Sequence, residues 1–363
     1  MTPSPVSVAK IDELLIYSMK EEASDIHLTS GHPPVLRCHG RLRTIKSQPL
    51  KSNDIWNLIA EIATDEDRDR IKSGDTFTFA YEMVGTGDRF RVNVYPEQRG
   101  LAAAIRHLAA RPPSFEDLKI PKLVPQFITG TWGIVLVVGA TGAGKSSTLA
   151  ACVNEVNKTE NKHIISLENP IEYRYENGEA LIHQREVPRH ARDFSSGIVE
   201  ALRQDPDILV VGEIRSREEI TRALLAAETG HLVLTTLHAN SAPKAIDRMV
   251  SVFNPDEQPM IRMILSETIR LVVAQKLLPT TDGKGRRAAL ERMVGTSPVR
   301  ALIREGKTHQ ILSSMQSSGP RGHITMNQAI AALVREGAIS RQVAEDHSPD
   351  VQELGRLLGG GFR

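Results

Sequence analysis

Cysteine is nearly absent from this chain of 363 residues, which has only Cys38 and Cys152. Two cysteines cannot build a disulfide framework or a four-cysteine zinc site. Their scarcity favours a reducing compartment. An excess of one charge sign is missing as well. There are 45 Lys and Arg against 44 Asp and Glu, a net charge of +1. Nothing global therefore points to nucleic acid or to a polyanionic substrate. No apolar run approaches the roughly 18 residues that a membrane span requires. The opening MTPSPVSVAKIDELL lacks the basic stretch and apolar core of a signal peptide. There is no internal repeat and no low-complexity tract. Together these absences predict a cytoplasmic protein that reaches a membrane only through partners.

What is present is an ordinary globular composition, 40% apolar and 25% charged. At about 100–200 residues per domain, the length predicts two domains. Residues 1–109 read as a small α+β domain. Ile11, Leu14, Leu15 and Met19 give a helix over 8–23. Short strands at 26–28 and 35–37 flank a Gly/Pro turn, a second helix covers 53–72, and strands follow at 77–81 and 89–95. In the last of these, Arg89, Arg91, Asn93 and Tyr95 alternate with Phe90, Val92 and Val94, so one face is apolar and the other polar. Pro112 and Pro113 mark a linker over 110–116. Beyond it, over 117–363, apolar runs at 134–138, 163–167, 208–211 and 231–237 alternate with helical stretches. That pattern indicates a buried parallel sheet with helices around it. From about residue 255 the pattern reads as mainly helical, most clearly at 256–278, 298–306 and 325–336, and Gly359, Gly360 and Gly361 close a tail expected to move freely.

One motif carries chemistry directly. Gly139, Ala140, Thr141, Gly142, Ala143, Gly144, Lys145 and Ser146 fit G-x-x-x-x-G-K-[ST], with an apolar strand before and a helical stretch from Ser147 after. Such a loop turns its backbone amides inward around phosphates, and the helix N-terminus adds positive potential. Lys145 is placed to reach the β- and γ-phosphates, and the Ser146 hydroxyl to ligate Mg²⁺. The other apolar runs each end on a polar side chain: Glu168, Glu213 and His238. In open α/β sheets that edge is where ligands bind. Glu213 is the first choice for general base or for holding a Mg²⁺-bound water. Glu168 is a second carboxylate for the metal or the water, and His238 is placed to sense the γ-phosphate. His231 starts its strand, away from that edge, and reads as a packed or capping histidine. Hydrolysis also needs a positive charge opposite the γ-phosphate, for which Arg91 and Arg106 are the candidates.

These residues occur within a longer pattern. The chain resembles the PilT-like secretion ATPases, in particular the type IV pilus retraction ATPases, from about residue 23 to 344. The stretch from Ala23 to Pro34 resembles the family's opening signature, and Phe90-Arg91-Val92-Asn93 its arginine-bearing strand. Segment 139–146 matches its Walker A, and segment 166–172 its acidic box, with Asn169 where Asp is usual and Glu168 and Glu172 retained. Segment 205–215 matches the atypical Walker B, and 229–238 the His box. Segment 298–304, Pro-Val-Arg-Ala-Leu-Ile-Arg, resembles the C-terminal motif of retraction members, with Val299 and Ala301 differing. The resemblance implies an N-terminal PAS-like domain and a RecA-like P-loop ATPase domain with a helical C-terminal part. It implies a homohexamer in which Arg91 and Arg106 reach ATP, with ATP and Mg²⁺ as cofactors. It also implies an inner-membrane platform protein as partner and a cytoplasmic location peripheral to that membrane. The function expected is ATP-driven pilus retraction in twitching motility. Two alternatives keep the ATPase and change what it drives. One is a conjugative or type IVB secretion system, and the other is DNA translocation. The local basic stretch Lys284, Arg286, Arg287 speaks for the last and the near-zero net charge against it, so no stable nucleic-acid binding is expected.

Overall fold

The computed structural model describes residues 10–38, 40–108, 111–121, 124–129, 132–283, 285–317 and 322–359. The start of the helix expected from residue 8, the linker residue Ala110, Lys284 and the tail glycines Gly360 and Gly361 lie outside them. Two compact units emerge: Met1–Arg111 with Asn169–Arg174, and Pro112–Glu168 with Tyr175–Arg363.

The first unit contains α1 (Ile11–Lys20), β1 (Ala23–Thr29), β2 (Val35–Cys38), β3 (Arg41–Thr44), α2 (Ser52–Ile62), α3 (Asp65–Lys72), β4 (Phe77–Glu82), β5 (Arg89–Glu97) and β6 (Gly100–Leu108). Its strands form one sheet in the order β3-β2-β1-β6-β5-β4, with every neighbouring pair antiparallel. An antiparallel sheet can bury one face and leave the other polar. Ile26, Leu28, Phe79, Phe90, Val92 and Ile105 pack against Leu14, Leu15, Ile55 and Ile59 of the helices.

Three expectations change in this unit. The single helix over 53–72 is two, because Thr64 caps a new helix: its hydroxyl accepts from Asp67 N, and the Asp67 side chain accepts from Thr64 N. Strands β3 and β6 went unanticipated. The alternation in β5 holds at Phe90, Val92 and Val94, but Arg89 is only 5% exposed. Its guanidinium donates to the backbone oxygens of Ile171 and Glu172, in the segment Asn169–Arg174 that belongs to this unit.

The second unit contains β7 (Gly133–Val138), α4 (Lys145–Thr159), β8 (His163–Glu168), β9 (Leu181–Glu186), α5 (Phe194–Ala201), β10 (Ile208–Val211), α6 (Arg217–Glu228), β11 (Leu232–Leu237), α7 (Ala242–Ser251) and α8 (Gln258–Thr268). It continues with β12 (Ile269–Pro279), β13 (Arg286–Val294), α9 (Ser297–Arg304), α10 (Ile311–Ser317), α11 (Met326–Arg335), α12 (Arg341–His347) and α13 (Val351–Leu357). The sheet order is β13-β12-β7-β11-β10-β8-β9, parallel throughout except for β13. Helices cover both faces. Leu149, Val153 and Val156 of α4 pack on one, with Val135 and Val210. Ile220, Leu224, Ile246 and Leu265 of α6, α7 and α8 pack on the other, with Leu136 and Val211.

The helix expected over 256–278 is corrected here. It stops at Thr268, and Ile269–Pro279 is a strand beside β7. Leu271 and Val273 face one core while Val272 and Ala274 face the other, so the run is apolar without a period. Such a run cannot be told from a buried helix by spacing alone. The C-terminal part therefore contributes two strands to the sheet as well as helices. The helices expected at 298–306 and 325–336 are α9 and α11, each within two residues of its expected ends. Cys38 and Cys152 are both free, and burial pushes the Cys152 thiol up to about 12.

β7 lies inside the sheet with a partner on each side, and Leu136 on it is fully buried. We expect Leu136→Ala to lower the unfolding free energy by about 2–5 kcal/mol. Chemical denaturation checks this; a loss below about 1 kcal/mol would show that the strand is not the packed centre described.

Candidate active site

The parallel strands deliver their C-terminal ends to one edge. Leu167 stands opposite Val211, Val211 opposite Thr235, and Leu237 opposite Val138. The next residues along β7, β10 and β11 are Gly139, Gly212-Glu213 and His238, and Glu168 is the last residue of β8. A parallel sheet requires crossovers that return each strand in the same direction, which is why these residues collect on one side.

The loop between β7 and α4 is shaped from behind by β12. A Cβ at Gly139 would lie 2.6 Å from the Gln275 backbone oxygen. Gly144 has φ of +85° in the left-handed region, and a Cβ there would meet Gln275 Nε2 at 2.8 Å. Gln275 is itself held, since its Oε1 accepts the Thr148 hydroxyl of α4 at 2.7 Å. The glycines of the motif are thus required by the close approach of a neighbouring strand as well as by phosphate.

Lys145 Nζ donates to the backbone oxygens of Gly139 at 3.1 Å and Ala140 at 3.0 Å. Burial pulls its pKa below the usual lysine value, and the Glu213 carboxylate opposes that pull. Glu213 Oε2 accepts from Arg215 at 2.5 Å, and its Oε1 lies 2.9 Å from His238 Nε2. The bond from Glu213 holds the Arg215 guanidinium above its ordinary pKa. Glu168 Oε1 accepts from the Ser166 hydroxyl at 2.8 Å and from Gln184 Nε2 at 3.2 Å. Thr141 and Gly142 are exposed on the loop, and Ala143 is buried beneath it.

Of the expected site residues, the loop, Lys145, Glu213 and His238 come together, and Glu168 ends the strand next to β10. Ser146 and Ser147 follow Lys145 in the first turn of α4. Arg91 and Arg106 lie in the first unit, opposite one another on β5 and β6. There Arg106 Nε donates to Asp25 at 2.7 Å, and Arg91 is 3.9 Å from Glu172. His231 Nδ1 contacts the Ala226 oxygen at 3.0 Å, at the C-terminal end of α6, as its capping reading expects.

Sequence reasoning missed several side chains. Asn240, Lys244 and Arg248 line a cleft with Gly139, Ala140 and His238. Lys244 and Arg248 are four apart on α7, a helical spacing just after the His box that could have flagged them. Gln275 was missed because its strand was read as helix. Arg215 ends the Walker B segment and was given no role there.

Strand, glycine loop, helix and strand-end acids define a P-loop nucleotide-binding fold. In sequence, the chain matches the family described as Type II/IV secretion system protein over residues 4–349. The "Type IV pilus retractation ATPase PilT" of Pseudomonas aeruginosa is 42% identical over 336 residues, 93% of this chain and 97% of that protein. The "Twitching motility protein" of Neisseria gonorrhoeae is 39% identical over 337 residues, 91% of this chain and 90% of that one. Among solved structures, that of the pilus retraction motor PilT with bound ADP is similar with a TM-score of 0.86 at 38% identity, covering 96% of this chain and 99% of that one. This chain belongs to the type II/IV secretion system protein family.

Gly144→Ala tests the loop. A left-handed alanine costs about 1–2 kcal/mol, and its Cβ would strike Gln275. We expect ATP affinity to fall at least about tenfold, read by titrating a fluorescent ATP analogue. Unchanged affinity would contradict the fit between loop and β12.

Proposed function

We propose that this protein is the ATP-hydrolysing motor of pilus retraction. The observation that carries the reading is the gathering of Lys145, Glu213 and His238 around the 139–146 loop. It occurs in a chain that aligns along more than nine-tenths of its length with a pilus retraction ATPase. The enzyme hydrolyses ATP to ADP and phosphate.

The loop amides and the N-terminus of α4 hold the phosphates. Lys145 exchanges its two carbonyl partners for β- and γ-phosphate oxygens. Glu213 orients the attacking water and takes its proton as the bond to the γ-phosphorus forms and the bond to ADP breaks. His238 contacts the γ-phosphate and bears on Glu213. A glycine cradle too tight for a Cβ, followed by a serine hydroxyl and flanked by two carboxylates, fits Mg·ATP. Ser146 would hold Mg²⁺ directly, and Glu168 or Glu213 would hold it through water. The ion supplies charge neutralisation on the phosphates.

In this reading residues 1–109 are a PAS-like domain, 110–116 a linker and 117–363 a RecA-like ATPase domain. The assembly is a homohexamer in which Arg91 and Arg106 meet the ATP of a neighbouring subunit. In such a ring Arg106 would leave Asp25, whose side chain is only 12% exposed, so reaching ATP has to compensate the loss of that ion pair. The ring works on an inner-membrane platform protein from the cytoplasmic side. No helix among the described residues is long and apolar enough to cross a membrane.

Two measurements test this. Lys145→Ala and Glu213→Gln are each expected to lower ATP turnover at least about a hundredfold with the far-ultraviolet circular dichroism unchanged. Wild-type turnover in either would remove the site assignment. Arg91→Ala and Lys145→Ala are each expected to be inactive alone. Mixed in equal amounts they restore up to about a quarter of the sites, one half times one half, if the arginine acts across subunits. No recovery in rings shown to be mixed would exclude that.

A further inference from the structure

β13 carries a buried carboxylate that the chemistry of the nucleotide site does not use. Glu291 is 3% exposed. Its Oε1 accepts the Ala242 N–H at 2.6 Å, and its Oε2 accepts the Met326 N–H at 3.3 Å. Ala242 is the first residue of α7, and Met326 the first of α11. One carboxylate thus stands at two helix N-termini, where backbone donors lack intrahelical partners and the helix dipoles are positive. Burial raises its pKa, and the two backbone donors oppose that rise. Each helix also has a cap of its own: Ser241 Oγ accepts from Lys244 N, and Thr325 Oγ1 from Gln328 N. Neither helix therefore depends on Glu291 alone to form.

Its register decides what Glu291 can influence. Glu291 pairs with Ala274, Ala274 with Val138, and Val138 with Leu237. It lies level with the residues that immediately precede Gly139 and His238. Only residues 238–241 separate β11 from α7. Within them His238 and Asn240 line the cleft beside Gly139 and Ala140, and Lys244 and Arg248 line it from α7. This short segment is fastened at one end by the pairing of β11 with β7. At the other end it is fastened by the bond from Ala242 to Glu291. The second oxygen of Glu291 reaches α11, which packs with Leu278, Ala289, Ile339 and Leu354 in a separate apolar cluster.

We propose that Glu291 is a positioning residue for ATP hydrolysis: it fixes the N-terminus of α7, and with it His238 and the Lys244–Arg248 side of the cleft, against the phosphate loop, and ties that placement to α11. The proposal rests on the reading of the 139–146 loop and His238 as the ATP site. A shift of α11 that breaks the Met326 bond leaves a buried carboxylate oxygen without a donor, which is costly. The carboxylate must then follow α11 or rotate, and either motion moves the first residue of α7.

The test is steady-state ATP hydrolysis by the full-length protein carrying Glu291→Gln or Glu291→Asp, with Lys145→Ala as the control for the site. In Glu291→Gln an amide N–H replaces one acceptor and faces a backbone N–H. The expected result is a kcat about tenfold lower with KM for ATP within about twofold of wild type. Glu291→Asp keeps both acceptors but draws them back by one methylene, so its kcat is expected to lie about threefold or more below wild type and above that of Glu291→Gln. A residue that only caps helices would lower the melting temperature and leave kcat per folded molecule unchanged, and that outcome overturns the proposal. So does a loss confined to KM. If Glu291→Gln fails to fold, the Asp variant decides alone: kcat within about twofold of wild type refutes the positioning role. If Lys145→Ala hydrolyses ATP like wild type, the site reading itself has failed. If Lys145→Ala is inactive and Glu291→Gln is normal, only the role of Glu291 has failed.

Discussion

The hydrogen-bonded register of β11, β7, β12 and β13 is the constraint on which the rest of the second unit depends. It sets Leu237, Val138, Ala274 and Glu291 in a row. The phosphate loop, His238, Gln275 and Glu291 are measured from that row. Gly139 and His238 come one residue beyond it, and Gln275 comes one residue beyond it on β12. Slipping any strand by one residue would exchange its two faces. It would put Gln275 away from Gly144 and bury a side chain meant for the nucleotide edge.

Two neighbours meet the sheet edge with different physical means. β12 acts by exclusion, because its backbone oxygen and its Gln275 amide leave no room for a Cβ at Gly139 or Gly144. β13 acts by attraction, through an anion at two helix N-termini. The first determines the loop's conformation. The second determines where the segment that faces the loop comes to rest. Both strands are contributed by the C-terminal third of the chain.

Much of the site was legible in the sequence, for a physical reason. A buried parallel strand is a continuous apolar run, and the polar residue that ends it is conspicuous. Glu168, Glu213 and His238 were found that way, and the loop was found by its glycines. The same rule failed at 269–279. There an apolar run directly followed a helix with no glycine or proline between them, and spacing could not separate the two. Gln275 was lost with that strand. Arg89 was misplaced for another reason. Alternation along β5 puts it on the polar face, and only the return of segment Asn169–Arg174 buries that position. Glu291 had no local signal, because its role comes from two helices 49 and 35 residues away in sequence.

The posture of Lys145 has a consequence for discrimination among ligands. Its ammonium rests on two carbonyl oxygens of its own loop. A ligand must therefore displace those dipoles rather than meet a free cation. A nucleoside or a monophosphate offers at most one weakly placed anionic group and has little to exchange for them. A triphosphate offers several oxygens along the same arc, and each can replace a carbonyl before the next is released. The resting bonds of Lys145 thus weigh against ligands with few anionic oxygens.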